Sequence, residues 1–520
     1  MLFGTALIKL GLKNKRIAVI GENRYEWEIA YLSIVCGVGI VVPLDKALPE
    51  NELRNLIQKS EVEAIFCSGK YTKILETIKN SKTGNLKYII SMDLDTKEGE
   101  IYSQKELIQI GKKWIEKGEQ EYQNIQINPK EMSIMLFTSG TTSQPKIVVL
   151  SHENICTNLM DLASVLDVNS QDVFLSVLPI HHVFECTVGF LFALYQGSQT
   201  VFCDGIRHLV ENLKEYQVSV LACVPAIYER VFKIIKNTME KQGKLMQILE
   251  NEEKYKNCSW KEKKTVFQSI HNMLGGNIKL LLSGAAALDK EIEAKYRKLG
   301  FNMVQGYGLT ETSPVVAVGT NECYKLGSVG KVLPSVEAKI ENENQEGIGE
   351  LLVKGKSIML GYFENEEENK KAIVNGWFHT GDLARIDEEG YIFICGRKKN
   401  VIVLKNGKNI YPEEIEQLIN KIEGVEESLI FGKQKNEDKE DIKVFVKIVY
   451  NKKTMQQIYQ VENEEEIHAI LAKQVKRVNQ FLPKYKMIRG IIITEEPLIK
   501  TSTNKIKRQE NINAIQSYSN

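Results

Sequence analysis

The chain has 520 residues, 43% hydrophobic and 26% charged, with a formal net charge of +1. That length exceeds one compact core and predicts at least two domains, while the near-neutral balance argues against nucleic acid as the main partner. The nine cysteines include no Cys-x-x-Cys pair and mostly fall in apolar runs, which predicts buried, reduced thiols and excludes a disulfide frame or zinc site.

The start reads as a helix with Phe3, Leu7 and Leu10 on one face and Gly11 as its stop. It lacks the basic and apolar regions of a signal peptide. The longest apolar stretch, 29–44, is broken by Gly37, Gly39 and Pro43, so a helix feeding a strand is expected in place of a membrane span. A cytoplasmic location is predicted, with peripheral membrane contact left open. From Lys15 onward, short β-rich runs at 16–21, 40–42, 62–67, 87–91, 173–177, 200–203, 218–224 and 278–282 alternate with helical periodicity. Such alternation implies parallel sheets covered by helices, with ligands at the carboxyl ends of the strands.

Near residue 323 the texture changes. Residues 327–330, 336–340, 350–354 and 391–395 read as short strands between Gly- and Asn-rich turns, a small antiparallel β unit. After Asn400 a compact α+β segment follows. Pro412 opens a helix there, 444–449 reads as a strand, and Ile467, Ile470, Leu471, Val475 and Val478 share a helix face. The basic cluster 396–399 is the candidate linker, and the acidic runs 364–368 and 462–466 read as solvated surface.

Chemistry concentrates in five segments. Between two apolar runs, Thr138, Ser139, Thr141 and Thr142 surround Gly140, and Pro145 and Lys146 close the loop. Hydroxyls, bare backbone N–H groups and one cation suit a polyphosphate, although the spacing is not that of a P-loop and an ordinary surface turn has the same composition. After the apolar run 301–304 comes Tyr307, flanked by Gly306 and Gly308, then Thr310 and Glu311. That order can stack a base, bind a phosphate and hold Mg2+, or simply make a tight turn with a packed tyrosine. Gly284 and Ala285 begin a small-residue turn leading to Asp289, a good helix N-cap; it permits close approach of a flat ligand or of the backbone itself. Asp382 can accept from both ribose hydroxyls, and Arg397, across a predicted hairpin, can reach the same sugar; the plain alternative is a turn residue and an exposed cation. Lys505 lies in a basic tail behind a Thr/Ser-rich turn, a context in which most lysines are surface.

Together these segments resemble the adenylate-forming enzymes, which include acyl-CoA synthetases, peptide-synthetase adenylation domains and luciferases. Residues 178–185 and 407–416 are most similar to the bacterial long-chain fatty acyl-CoA synthetases. The resemblance implies an α/β fold: a large N-terminal domain, 1–396, of two sheet-and-helix lobes plus a small β-barrel-like unit. A hinge at 397–399, centred on Lys399, would lead to a small mobile α+β C-terminal domain, 400–520. It further implies ATP, Mg2+ and coenzyme A, with a fatty acid or other carboxylate as substrate. By resemblance, Thr138, Ser139, Gly140, Thr141, Thr142 and Lys146 bind the β- and γ-phosphates, and Tyr307 faces adenine beside Gly284, Ala285 and Gly308. Thr310 contacts the α-phosphate, Glu311 holds Mg2+, and Asp382 and Arg397 fix the ribose. Lys505 bridges the carboxylate and α-phosphate oxygens, His182 lines the acyl site, and Gly407 walls the coenzyme channel.

The chain departs from the family pattern at Ser143, Ile147, Ser502 and Asn504; relatives usually carry a β-hairpin before the equivalent of Phe3, so an N-terminally short chain is expected. Two other readings fit the same motifs. An acyl-AMP ligase would serve a separate carrier protein, and a truncated relative would bind nucleotide without turnover.

Overall fold

The computed structural model describes residues 1–82, 84–138, 146–241, 258–404, 408–434, 442–500 and 506–517. Among these, one sheet has the strand order Gly361–Tyr362, Lys146–Ser151, Met132–Thr138, Gly39–Leu44, Lys15–Ile20, Ala64–Cys67, Tyr88–Ser91 and Ile101–Ser103. Its central strands run parallel, and Ile17, Ala18, Val19, Ala64, Ile65 and Phe66 are fully buried. Helices cover both faces, so these strands read as continuous apolar runs without alternation.

A second sheet has the order Lys331–Val332, Val315–Val318, Met303–Gly308, Leu280–Ser283, Val220–Cys223, Val173–Ser176 and Gln199–Phe202. Its parallel centre passes into an antiparallel hairpin, Met303–Gly308 against Val315–Val318, with Tyr307 opposite Ala317. The β unit is a five-stranded antiparallel sheet among the described residues. Val336–Glu341, Gly349–Gly355, Trp377–Ile386 and Ile373–Val374 form its path, and Ile392–Arg397 joins the long strand. Residues 327–330 are not a strand, contrary to the sequence reading. Gly327 and Gly330 take left-handed φ of +77° and +87°, and the pairing begins only at Lys331–Val332.

The apolar side chains of both large sheets and the β unit share a core reaching from Phe3 to Ile392. Beyond residue 400, two further clusters form around Ile430, Val446 and Leu471 and around Leu429, Phe431 and Ile515. They pack on a three-stranded sheet, Val425–Gln434, Ile442–Tyr450 and Ile488–Thr494. Across the two regions, the Lys421 ammonium reaches Asp289 at 3.0 Å and Glu291 at 2.8 Å. No described helix is long and apolar enough to cross a membrane. The cysteine expectation needs correction: all nine are free, but only Cys67, Cys186 and Cys223 are buried, while Cys36, Cys156 and Cys323 are exposed.

Candidate active site

The site lies where the second sheet's hairpin meets the β unit. Strand Trp377–Ile386 pairs with Ile392–Arg397 so that Asp382 stands opposite Arg397. The Arg397 Nε is 2.7 Å from Asp382 Oδ1, and the Tyr307 hydroxyl donates to Asp382 Oδ2 at 2.6 Å. Asp382 is only 4% exposed, and its own N–H donates to Thr380 Oγ1. Burial, and then the adjacent Asp382 carboxylate, push the Tyr307 hydroxyl well above its usual range, so it remains a donor. Asp382 is thus contacted both by its hairpin partner Arg397 and by Tyr307 from a different sheet.

The same hairpin carries Thr310 and Glu311 on one short helical turn, Thr310–Thr312, both half-buried. Gly308 is required at its start, because a Cβ there would lie 1.8 Å from the Pro314 carbonyl oxygen. The Tyr362 hydroxyl donates to Glu311 Oε1 at 3.0 Å. Tyr362 also places its ring 4.7 Å from the Lys146 ammonium, and Lys146 forms an ion pair with Glu368. Thr138 pairs with Lys146 across the two strands, its hydroxyl 3.5 Å from the Lys146 carbonyl oxygen. Of the phosphate-loop expectation, Ser139, Gly140, Thr141 and Thr142 lie outside the described residues, as do Ser143, Gly407 and Lys505. Ile147 sits buried in a regular strand opposite Phe137.

Lys399 occupies a short turn, Lys398–Asn400, directly after Arg397. The residue is exposed overall, yet desolvation of its ammonium and the Arg397 charge bring its pKa down to about 8. On the other side, Gly284 packs on Phe184, where an added Cβ would meet the ring at 2.9 Å. Ala285 holds a left-handed φ of +65° in that turn. This contact sets the small-residue turn against the segment bearing His182, whose ring centroid is 4.6 Å from that of His181. Burial and His182 hold His181 below its ordinary range, keeping it neutral.

The profile of the AMP-binding enzyme family matches residues 2–363, and that of the AMP-binding enzyme C-terminal domain matches residues 399–518. The chain belongs to the AMP-binding enzyme family. The AMP-binding enzyme is 28% identical over 462 residues to long chain acyl-CoA synthetase 3 of Arabidopsis thaliana, covering 82% of this chain and 69% of that relative. With mouse (Mus musculus) long-chain-fatty-acid–CoA ligase 5 it shares 29% identity over 469 residues, covering 82% and 67% respectively. Among solved structures, ATP-bound MatB from Rhodopseudomonas palustris superposes with a TM-score of 0.76 at 23% identity, covering 99% of this chain and 92% of that one. The Bacillus subtilis o-succinylbenzoate CoA synthetase with its acyl-adenylate gives 0.74 at 21%, covering 98% and 90%.

Several residues of this AMP-binding enzyme that position the site escaped the sequence reading. Asn154 completes a capping box with Ser151 and donates to the Lys356 and Ile358 carbonyls, tying the β unit to the end of the strand Lys146–Ser151. Asn158 exchanges two hydrogen bonds with the Val315 backbone and so fixes the Thr310–Glu311 hairpin. The Ser-x-x-Asn spacing before a helix was a legible capping signal for Asn154. The reading of 364–368 as solvated surface is corrected at Glu368, which binds Lys146.

Proposed function

We propose that this chain is an AMP-forming acid–thiol ligase. It activates a fatty acid with ATP to acyl-AMP and then passes the acyl group to coenzyme A. The observation that carries the reading is the contact of Tyr307 and Arg397 with one buried carboxylate, Asp382, beside the Thr310–Glu311 turn. The names of the Arabidopsis and mouse relatives support a long-chain acid as the substrate.

In the first step a carboxylate oxygen bonds to the α-phosphorus as the bond to pyrophosphate breaks. Both reactants are anions, so the protein's work is positioning and charge neutralisation. Tyr307 offers its ring to adenine, with Gly284, Ala285 and Gly308 keeping the nearby backbone thin. The two Asp382 oxygens, contacted by Tyr307 and Arg397, would accept from the ribose hydroxyls, which Arg397 flanks. Thr310 donates to the α-phosphate, while Lys146, Thr138, Ser139, Gly140, Thr141 and Thr142 hold the outer phosphates. Glu311 suits Mg2+, because a carboxylate beside the Thr310 hydroxyl gives a hard cation the oxygen ligands it prefers; the ion would offset phosphate charge. Lys505 neutralises charge developing between the acid and the α-phosphate.

In the second step the coenzyme thiol attacks the acyl carbonyl, forming a C–S bond, releasing AMP and shedding the thiol proton. Gly407 borders the thiol's path, His182 faces the acyl group, and a hinge at Lys399 lets Lys505 withdraw. Pyrophosphate and AMP release should be measured across acids of increasing length, with and without coenzyme A. Dependence of thioester formation on long-chain acid and coenzyme is expected. Acyl-AMP formation that ignores free coenzyme would indicate a carrier-protein ligase, and no turnover with any acid would overturn the enzyme reading.

A further inference from the structure

The strand that begins at Lys146 has Gly361–Tyr362 as its edge partner, with Tyr362 opposite Val148 and Gly361 opposite Val149. Residues two apart on a strand share a face, so this register sets the Tyr362 ring beside the Lys146 side chain. Asn369 fixes that edge by accepting from the Tyr362 N–H at 2.6 Å and donating to the Tyr362 carbonyl at 2.9 Å. The same short helix, Glu366–Ala372, brings Glu368 to the ammonium; the Asn365 side chain caps it through the Glu368 N–H. One Glu368 oxygen takes Lys146 and the other takes Lys371 at 3.2 Å.

We propose that Glu368 is a positioning residue that holds Lys146 over the Tyr362 ring until the polyphosphate of the nucleotide takes its place. The inference rests on the nucleotide reading of Lys146 given above. The exchange is physically reasonable because both partners are partly solvated, with side-chain exposures of 24% and 34%. Such pairs are weak, and a triphosphate carries more charge than one carboxylate. Lys146, and then Lys371, keep the Glu368 carboxyl below its ordinary range, so the holding group stays charged. Tyr362 ties this contact to the proposed metal ligand, since its hydroxyl is bound to Glu311. Holding the lysine in place saves some conformational freedom, but the ion pair must break before phosphate binds, and that cost sets the sign of the test.

The test is equilibrium titration of ATP and of AMP into the full chain as wild type, Lys146→Ala, Glu368→Gln and the double variant. Lys146→Ala should weaken ATP binding about tenfold and barely change AMP, which lacks the outer phosphates. Glu368→Gln should tighten ATP roughly two- to fivefold, the range of a partly exposed ion pair, with AMP again unmoved. In the Lys146→Ala background, Glu368→Gln should have no further effect. Unchanged or weaker ATP binding in Glu368→Gln, or the same shift with Lys146 absent, overturns the holding role. If Lys146→Ala itself leaves ATP affinity intact, the nucleotide reading of that lysine fails first, and the proposal with it.

Discussion

At one end of the site, Asp382 holds Tyr307 and Arg397 in the arrangement proposed to receive the ribose. At the other end, Lys146 is engaged by Glu368, a carboxylate proposed above to give way to the phosphates. The first end is set by strand register, Asp382 opposite Arg397, and on the proposed reading its partners need not move. The second is set by an ion pair between side chains, which on the proposal binding exchanges. Rigid pairing therefore suits recognition of the constant part of the nucleotide, and a replaceable pair suits the part that leaves as pyrophosphate.

The contrast can be broken most strongly at the rigid end. Asp382→Ala strips two partners of their acceptor at once. It should weaken ATP and AMP alike by about a hundredfold and cost about 2–3 kcal/mol of stability, after allowance for the partly exposed guanidinium. Titration and chemical denaturation check the two effects separately, and loss of ATP binding with AMP spared would reverse the assignment of the ends. Next, Gly308→Ala should destabilise the chain by about 2–3 kcal/mol, because the new methyl meets the Pro314 carbonyl. If its thermal unfolding matches wild type, the hairpin yields more than its geometry implies.

A third variant probes the ground outside both ends. Glu185 is 1% exposed and accepts from Ser176 at 2.6 Å, and burial pushes its carboxyl up from the ordinary 4.5 to about 8. The native state therefore binds the extra proton between those values. Stability from this group is fully present below about 4.5 and falls as pH rises to about 8. Glu185→Gln should flatten that slope and add on the order of 2 kcal/mol at pH 8, with KM for ATP unchanged. Denaturation at pH 5 and pH 8 decides; an unaltered slope would mean that the carboxyl is solvated in solution. The smallest effect belongs to Tyr307→Phe, which keeps the ring and removes one donor to Asp382. About 1 kcal/mol, or a loss in ATP affinity of roughly fivefold, is expected from titration.

The sequence made the rigid end legible. Asp382 and Arg397 could be paired because a turn signal lies between them, and Tyr307, Thr310 and Glu311 follow one apolar run closely enough to be read as one turn. The replaceable end was half hidden. Lys146 stood out, but its edge partner is the two-residue strand Gly361–Tyr362, too short for any periodicity to mark it. Glu368 disappeared in a run of acids because charge composition carries no information about which member faces inward. Burial of the cysteines was misjudged for a related reason: Cys36 and Cys156 adjoin apolar residues but sit on the outward side of their elements. Local patterns report the elements, whereas the partner across a sheet depends on distant chain.

That dependence bears on how the protein is made. The Lys146 strand receives its outer neighbour only from residues 361–362, and Asp382 and Arg397 come later still. During synthesis from the N-terminus, both large sheets can begin to pack while the nucleotide site has neither its edge strand nor its acidic anchor. The site is assembled last within this region. A nascent chain stalled before residue 361 should thus hold much of the apolar core of an enzyme without yet being able to grip its nucleotide.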